Sequence, residues 1–206
     1  MLSPRVAILL ATICSTFPAI DLIRVLYERN PNFVRDYDFA SFMLAVNVSG
    51  RWAFVLLFLA LACTPVQRWT RSALVVAVRR PLGLAAFGYC VLHFLAYFVV
   101  GQKLNVAYTI QDSWHQVSRI PGWLSLLLLL PLAVTSTNGM VRRLGGKRWK
   151  RLHRLVYVAT ALAILHVYLV EADHYGNYNA TRNTLVAFVV LMLARLVPAR
   201  RRTAPV

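Results

Sequence analysis

Apolar residues run in long blocks along this chain, and polar residues gather in the short intervals between them. Six blocks, near 7–26, 42–63, 82–100, 121–137, 152–170 and 183–199, are long enough to cross a hydrocarbon core, which takes about 17–25 helical residues. Helix-breaking residues fall at the expected joints. Pro31 follows the first block, Pro65 the second, Pro121 and Gly122 open the fourth, and Gly145 and Gly146 precede the fifth. The pattern predicts an all-α integral membrane protein, a six-transmembrane-helix bundle forming a single domain over 1–206. The first block has the length of a secretory signal. It carries Asp21 near its far end, however, and no small-residue cleavage site follows, so it is expected to be a retained helix. The interval 101–120 holds Trp114, with Trp123 just beyond, and is expected to place a short helix at the outer membrane surface.

Composition supports this picture. Hydrophobic residues make up 59% of the 206 and charged residues only 15%, with a mean hydropathy of +0.58. The formal charge of +16 raises nucleic acid as a partner, but its distribution excludes that reading. With the N-terminus in the cytoplasm, the inner side receives Arg5, Arg68, Arg71, Arg79 and Arg80. It also receives the run from Arg142 to Arg154 and the arginines near the C-terminus. All seven acidic residues fall on the outer side. This is a positive-inside pattern. It predicts both termini in the cytoplasm and contact between the basic excess and anionic lipid. Cys14, Cys63 and Cys90 lie in separate spans without CxxC spacing and read as small packing residues. There is no GxGxxG with a following acid and no Walker loop. Any nucleotide-dependent electron donor is therefore expected to be a separate polypeptide, or the donor is a membrane quinone.

Ionisable groups within a span are costly and mark functional paths. The stretch 147–168, "KRWKRLHRLVYVATALAILHVY", carries His153 and His166, and the third block carries His93. His93 lies about 11 residues, or roughly 16 Å, into its span from the inner side, and His166 about 14 residues, or roughly 21 Å. Both belong to the outer half of the bilayer on parallel helices. Two histidines at matched depth can ligate one haem iron from opposite faces. His153 lies roughly 20 Å below His166 and about 220° away in helical phase if the helix is undistorted. No histidine stands at its depth on the third span. It is expected to serve a second haem with a non-histidine or water partner, a flavin or a propionate, or else to sit as an interfacial residue.

Arg51 follows Gly50 near the depth of the outer pair. It suits a haem propionate or, equally, pairing with Asp21. Gly83 and Gly88 offer close approach of haem or of a neighbouring helix. His115 and His174 fall in outer intervals and read as exposed. The basic interval "MVRRLGGKRWKR" is accounted for by topology. The functional alternative is an anchor for a flavin phosphate or an acidic donor protein. No nucleophile or proton-transfer triad is evident, so no catalytic residue is assigned.

The segment "TSTNGMVRRLGGKRWKRLHRLVYVATALAILHVY" resembles the MsrQ (YedZ) family, membrane subunits of the ferric-reductase-like superfamily. "NVSGRWAF" and "RRPLGLAAFGYCVLHFLAY" fit the same family, and the resemblance covers essentially all six blocks. It implies b-type haem, one or two per chain, and FMN. It implies electrons drawn from the quinone pool or a cytosolic flavin reductase. It also implies delivery to MsrP, a periplasmic molybdopterin enzyme that reduces methionine sulfoxide in proteins. By the same resemblance His93, His153 and His166 match the family's ligand histidines. Related oxidases carry a second histidine pair, and this chain lacks the fourth histidine. The chain is thus expected to be an electron-transfer subunit rather than the catalytic one. The alternative is a stand-alone transmembrane ferric or quinone reductase.

Overall fold

In the computed structural model residues 3–29, 39–174 and 176–197 are described, and every regular element among them is helical. The order is α1 (Pro4–Arg29), α2 (Phe39–Thr70), α3 (Ala73–Ala96), a π-helical turn (Tyr97–Gly101), α4 (Val106–His115) and α5 (Arg119–Val134). There follow α6 (Asn138–Leu144), α7 (Gly146–His153), α8 (Leu155–His174) and α9 (Asn179–Ala194). Among the described residues three helical stretches are long and apolar enough to cross a membrane: Met43–Thr70, Ala73–Val99 and Gly146–His174. Arg119–Val134 and Asn138–Leu144 meet at a 92° bend and make a fourth if taken as one span. Arg5–Ile20 and Asn179–Ala194 are apolar but shorter. Each of the six apolar blocks is therefore largely helical, although the fourth leaves its helix after Val134 and the sixth after Ala194, and positions 198 and 199 lie outside the described residues.

The prolines do not break the chain where the sequence pattern expects. Pro31 lies outside the described residues. Pro65 does not end a helix: it lies buried inside α2, which continues to Thr70. A proline within a helix deprives the carbonyl four residues earlier of its donor. That carbonyl belongs to Leu61, and Arg195 Nη2 donates to it at 2.9 Å. Arg195 also donates to Tyr157 Oη and lies 4.8 Å from the centre of that ring. One arginine at the end of α9 thus repairs α2 and ties both helices to α8. Pro121 and Gly122 likewise lie within α5 rather than before it. Pro81 lies inside α3, which begins nine positions earlier than the expected start at 82. The interval 137–151 is not a plain loop: Thr137 Oγ1 caps α6 by accepting from Met140 N at 3.2 Å, and Gly145, at φ 75°, turns α6 into α7.

Packing follows the lipid environment. Large apolar side chains such as Leu59, Leu127, Val158 and Val189 face outward. The interior holds leucines with many small residues. Leu56, Leu57, Leu61, Ala86 and Tyr89 join α2 to α3, while Leu129, Leu132 and Ala159 join α5 to α8. Small residues let helix backbones approach where lipid gives no hydrophobic drive between helices. Ser125 Oγ accordingly donates to Ala159 O at 2.9 Å, beside an Ala159 that has no exposed surface. These two helix pairs, α2–α3 and α5–α8, carry the site.

Candidate functional site

His93 on α3 and His166 on α8 face one another, with ring centroids 6.3 Å apart and planes at 77°. Each ring is held from behind in the same way. His93 Nδ1 donates to Val46 O on α2 at 2.8 Å, and His166 Nδ1 donates to Ser118 O at the start of α5 at 2.7 Å. The residue four positions after each acceptor is a glycine. A Cβ on Gly50 would lie 3.0 Å from His93 Nδ1, and one on Gly122 would lie 3.1 Å from His166 Nδ1. A side chain at that position would cover the carbonyl one turn below. Its absence lets an imidazole lie flat on the helix and reach the oxygen. The sequence contains no evident repeat, yet the structure builds the same seat twice.

The consequence for the rings is chemical. A carbonyl can only accept, so each Nδ1 carries the proton and each Nε2 keeps its lone pair. Such a backbone acceptor also raises the basicity of a metal-bound imidazole. Two metal–imidazole bonds of about 2 Å each, plus two ring radii of just over 1 Å, span about 6 Å. The observed 6.3 Å therefore fits one iron held between two histidines. Beside the pair, Phe94 and Trp123 meet edge to face with centroids 4.7 Å apart and close that flank. Among the described residues Gln102 Oε1, Gln116 Oε1 and Ser118 Oγ are buried without a partner. Buried unpaired polar atoms mark a place for ordered water or a bound group. The structure thus brings together the two histidines that depth alone had matched.

His153 is set differently. Thr135 Oγ1 donates to Pro131 O at 2.6 Å, which leaves its lone pairs to accept from His153 Nε2–H at 3.2 Å. Trp149 stacks on the same ring, with centroids 3.9 Å apart at 28°, and its Nε1 donates to Thr135 O at 2.9 Å. The nitrogen committed at His153 is therefore the one left open at His93 and His166. The helix is also distorted beside it. Arg154 N bonds Arg151 O at 3.2 Å and Tyr157 N bonds Arg154 O at 3.1 Å, three-residue spacings that tighten the turn. The phase difference of an ideal helix does not carry across Arg154. Nearby, Arg80 donates to Asn138 Oδ1 at 2.6 Å.

The remaining expectations fare variously. Arg51 follows the glycine that touches His93, so its depth agrees with the outer site, but its side chain is exposed. The side chain of Asp21 lies outside the described residues. Neither Gly83 nor Gly88 makes a close approach to a neighbouring helix, since a Cβ on either meets no protein atom within 4 Å. The short helix expected in 101–120 is α4. It brings Asp112 into a cluster that sequence reading did not single out. Tyr97 Oη and Gln102 Nε2 donate to Asp112 Oδ2 at 2.7 and 2.9 Å, and Arg119 forms an ion pair with the same carboxylate. Burial pushes the Asp112 carboxyl up. The hydrogen bonds from Tyr97, Arg119 and Gln102, with the charge of Arg119, outweigh it and hold the carboxyl below the usual carboxylate range.

Residues 49–164 match the family described as the ferric reductase like transmembrane component, a stretch that takes in Gly50, His93, Gly122 and His153. The chain is also similar to the haem-binding subunit MsrQ of protein-methionine-sulfoxide reductase from several bacteria. It is 42% identical to that of Deinococcus radiodurans over 158 residues, 76% of each chain. It is 41% identical to that of Ralstonia nicotianae over 148 residues, 72% of this chain and 67% of the relative. A shorter likeness, 44% over 125 residues, is to the magnetosome protein MamZ of Magnetospirillum gryphiswaldense, and covers 61% of this chain and 19% of that protein. With a family match over more than half of the chain and relatives of this identity and extent, the chain belongs to the ferric-reductase-like transmembrane family and, within it, to the MsrQ family.

Proposed function

We propose that this protein is a haem b-carrying electron-transfer subunit of the bacterial inner membrane, with His93 and His166 as axial ligands of one haem. The observation that carries this reading is the facing pair 6.3 Å apart, each Nδ1 on a backbone carbonyl. The relatives' name, haem-binding subunit, supports it. Six spans with both termini in the cytoplasm follow from the charge distribution along the chain. In that orientation the pair lies toward the periplasmic side and His153 at the cytoplasmic mouth.

The haem supplies one-electron chemistry, while the protein's residues set its position and potential. His93 and His166, each fixed in one tautomer by its backbone acceptor, would hold the iron. Gly50 and Gly122 give the rings room against α2 and α5. Phe94 and Trp123 limit access from the side. The inner end, with Trp149, His153, Arg79 and Arg80, is the entry side for electrons from the quinone pool or a cytosolic flavin reductase, and a second haem or FMN held there would supply one-electron chemistry. The outer end delivers them to a periplasmic MsrP-type molybdopterin reductase that acts on methionine sulfoxide in proteins. Absorption spectra of the purified protein, oxidised and reduced, test the reading. A Soret shift with a b-type α band is expected in the wild type, together with its loss in His93→Ala and His166→Ala. A colourless wild-type preparation after expression with adequate haem supply would sink it.

A further inference from the structure

Between the two ligand-bearing halves lies a polar strap built on one carboxylate. Tyr97 stands four residues beyond His93 at the end of α3, and its hydroxyl donates to Asp112 Oδ2 at 2.7 Å. Gln102, just past the π-helical turn, donates to the same oxygen at 2.9 Å. From the other side Arg119 pairs with the Asp112 carboxylate and donates Nη1 to Asp112 O at 3.2 Å. Its guanidinium lies 5.2 Å from the centre of the Tyr97 ring. Arg119 directly follows Ser118, the residue whose carbonyl receives His166 Nδ1. A second tie runs beside it: Trp123 Nε1 donates to Ser113 Oγ at 3.1 Å. The helix of His93 and the backbone acceptor of His166 are therefore joined through α4.

The strap is shielded. Asp112 and Arg119 side chains are 13% and 22% exposed, and Ser118 is 2% exposed. Hydrogen bonds in such surroundings are stronger than in water, and each polarises the next. We propose that Asp112, acting through Arg119 and Tyr97, is a positioning residue that fixes the Ser118 carbonyl on His166 and the spacing of His93 from His166, and so sets the reduction potential of the iron between them. The proposal rests on the haem reading above.

Two effects of neutralising Asp112 act in the same direction. Loosening Ser118 weakens the Nδ1–H bond of His166, makes that imidazole a poorer donor and favours the reduced iron. Removing a negative charge beside Arg119 leaves an unbalanced cation, which again favours the reduced state. Asp112→Asn is therefore expected to raise the midpoint potential. The test is a spectroelectrochemical titration of the purified full chain with its haem, paired with electron paramagnetic resonance of the oxidised protein. In Asp112→Asn the expected change is about tenfold in the oxidised-to-reduced ratio at fixed potential, or about 59 mV for one electron, with altered low-spin g values. Tyr97→Phe removes one bond and keeps the ion pair, so it is expected to shift the potential the same way by less. Asp112→Glu, which keeps the charge, is expected to stay nearer the wild type.

Unchanged potential and g values in Asp112→Asn would overturn the proposal. So would loss of haem with the remaining haem unshifted, because that is a purely structural effect. If Asp112→Asn does not accumulate, an unshifted Tyr97→Phe overturns it instead. A wild-type chain without haem would sink the haem reading itself, whereas a haem-replete wild type with unshifted variants sinks only the strap.

Discussion

The outer and inner histidines are held by opposite means. At the outer site each Nδ1 is tied to a main-chain carbonyl of a neighbouring helix, and each ring rests on a glycine. At the inner mouth it is Nε2 that is tied, to the Thr135 hydroxyl, and the ring rests on an indole. Tautomer decides which nitrogen can bind a metal. The outer arrangement leaves a like lone pair on each of two rings whose centroids lie 6.3 Å apart. The inner one presents a single imidazole already engaged with its own neighbours, so a ligand role for His153 requires Nδ1 or a ring that leaves Thr135. Histidines on the same continuous span are thus held differently, and the local acceptor distinguishes them better than their position along the helix does.

The contrast can be broken by substitution. The largest effect is expected from His93→Ala or His166→Ala, each of which removes one of the two residues proposed to hold the iron and should abolish the outer haem band. His153→Ala should leave that band in place. Equal haem retention in all three variants would erase the distinction between the sites. Next in size, Gly50→Val and Gly122→Val place side chains where a Cβ already lies 3.0 and 3.1 Å from the rings. A severalfold fall in haem per chain is expected, while Gly83→Ala and Gly88→Ala, with open space around them, should bind haem as the wild type does. Haem quantified per chain separates these outcomes.

Smaller changes sharpen the inner side. Arg195→Leu leaves the Leu61 carbonyl without the donor that replaces Pro65 N. Leaving a buried acceptor unpaired costs about 1–3 kcal/mol. A lower thermal midpoint is expected in detergent, with an unaltered outer spectrum. The smallest effect concerns pH. Asp112 has a depressed carboxyl in the folded protein, so its contribution is complete above the ordinary carboxylate range near about 4. It is lost only as pH falls through the lower folded value. The outer band and the thermal midpoint should therefore show no loss traceable to Asp112 between pH 8 and 5. The Asp112 contribution should weaken only below about 4. A midpoint falling between pH 7 and 6 in the wild type but not in Asp112→Asn would contradict this.

Hydropathy and spacing made the helical blocks legible, and helical rise alone matched His93 with His166. These features depend on single residues and a fixed geometry. What escaped depends on partners far away in sequence. Pro65 reads as a break, because nothing local announces that Arg195, 130 positions later, will satisfy Leu61. Gly50 and Gly122 read as a neighbour of Arg51 and as a helix start. Their role as ring seats appears only when α3 and α8 are laid against α2 and α5. A glycine four residues after an accessible carbonyl, opposite a membrane histidine, is the signal that could have found them. Asp112 and Arg119 lay hidden in an interval read as an outer surface segment and Tyr97 in the third apolar block, since only the fold of α4 brings them together at one carboxylate. The 220° phase difference for His153 holds only for an undistorted helix, and the helix tightens at Arg154.

The central claim is that one iron sits between His93 and His166. Electron paramagnetic resonance of the oxidised, purified chain tests it most directly, with the wild type set against the two single alanine variants. A low-spin signal of a bis-histidine haem is expected in the wild type, with that same signal lost in both His93→Ala and His166→Ala. A wild type without it, or a low-spin signal that survives either substitution unchanged, would contradict the account.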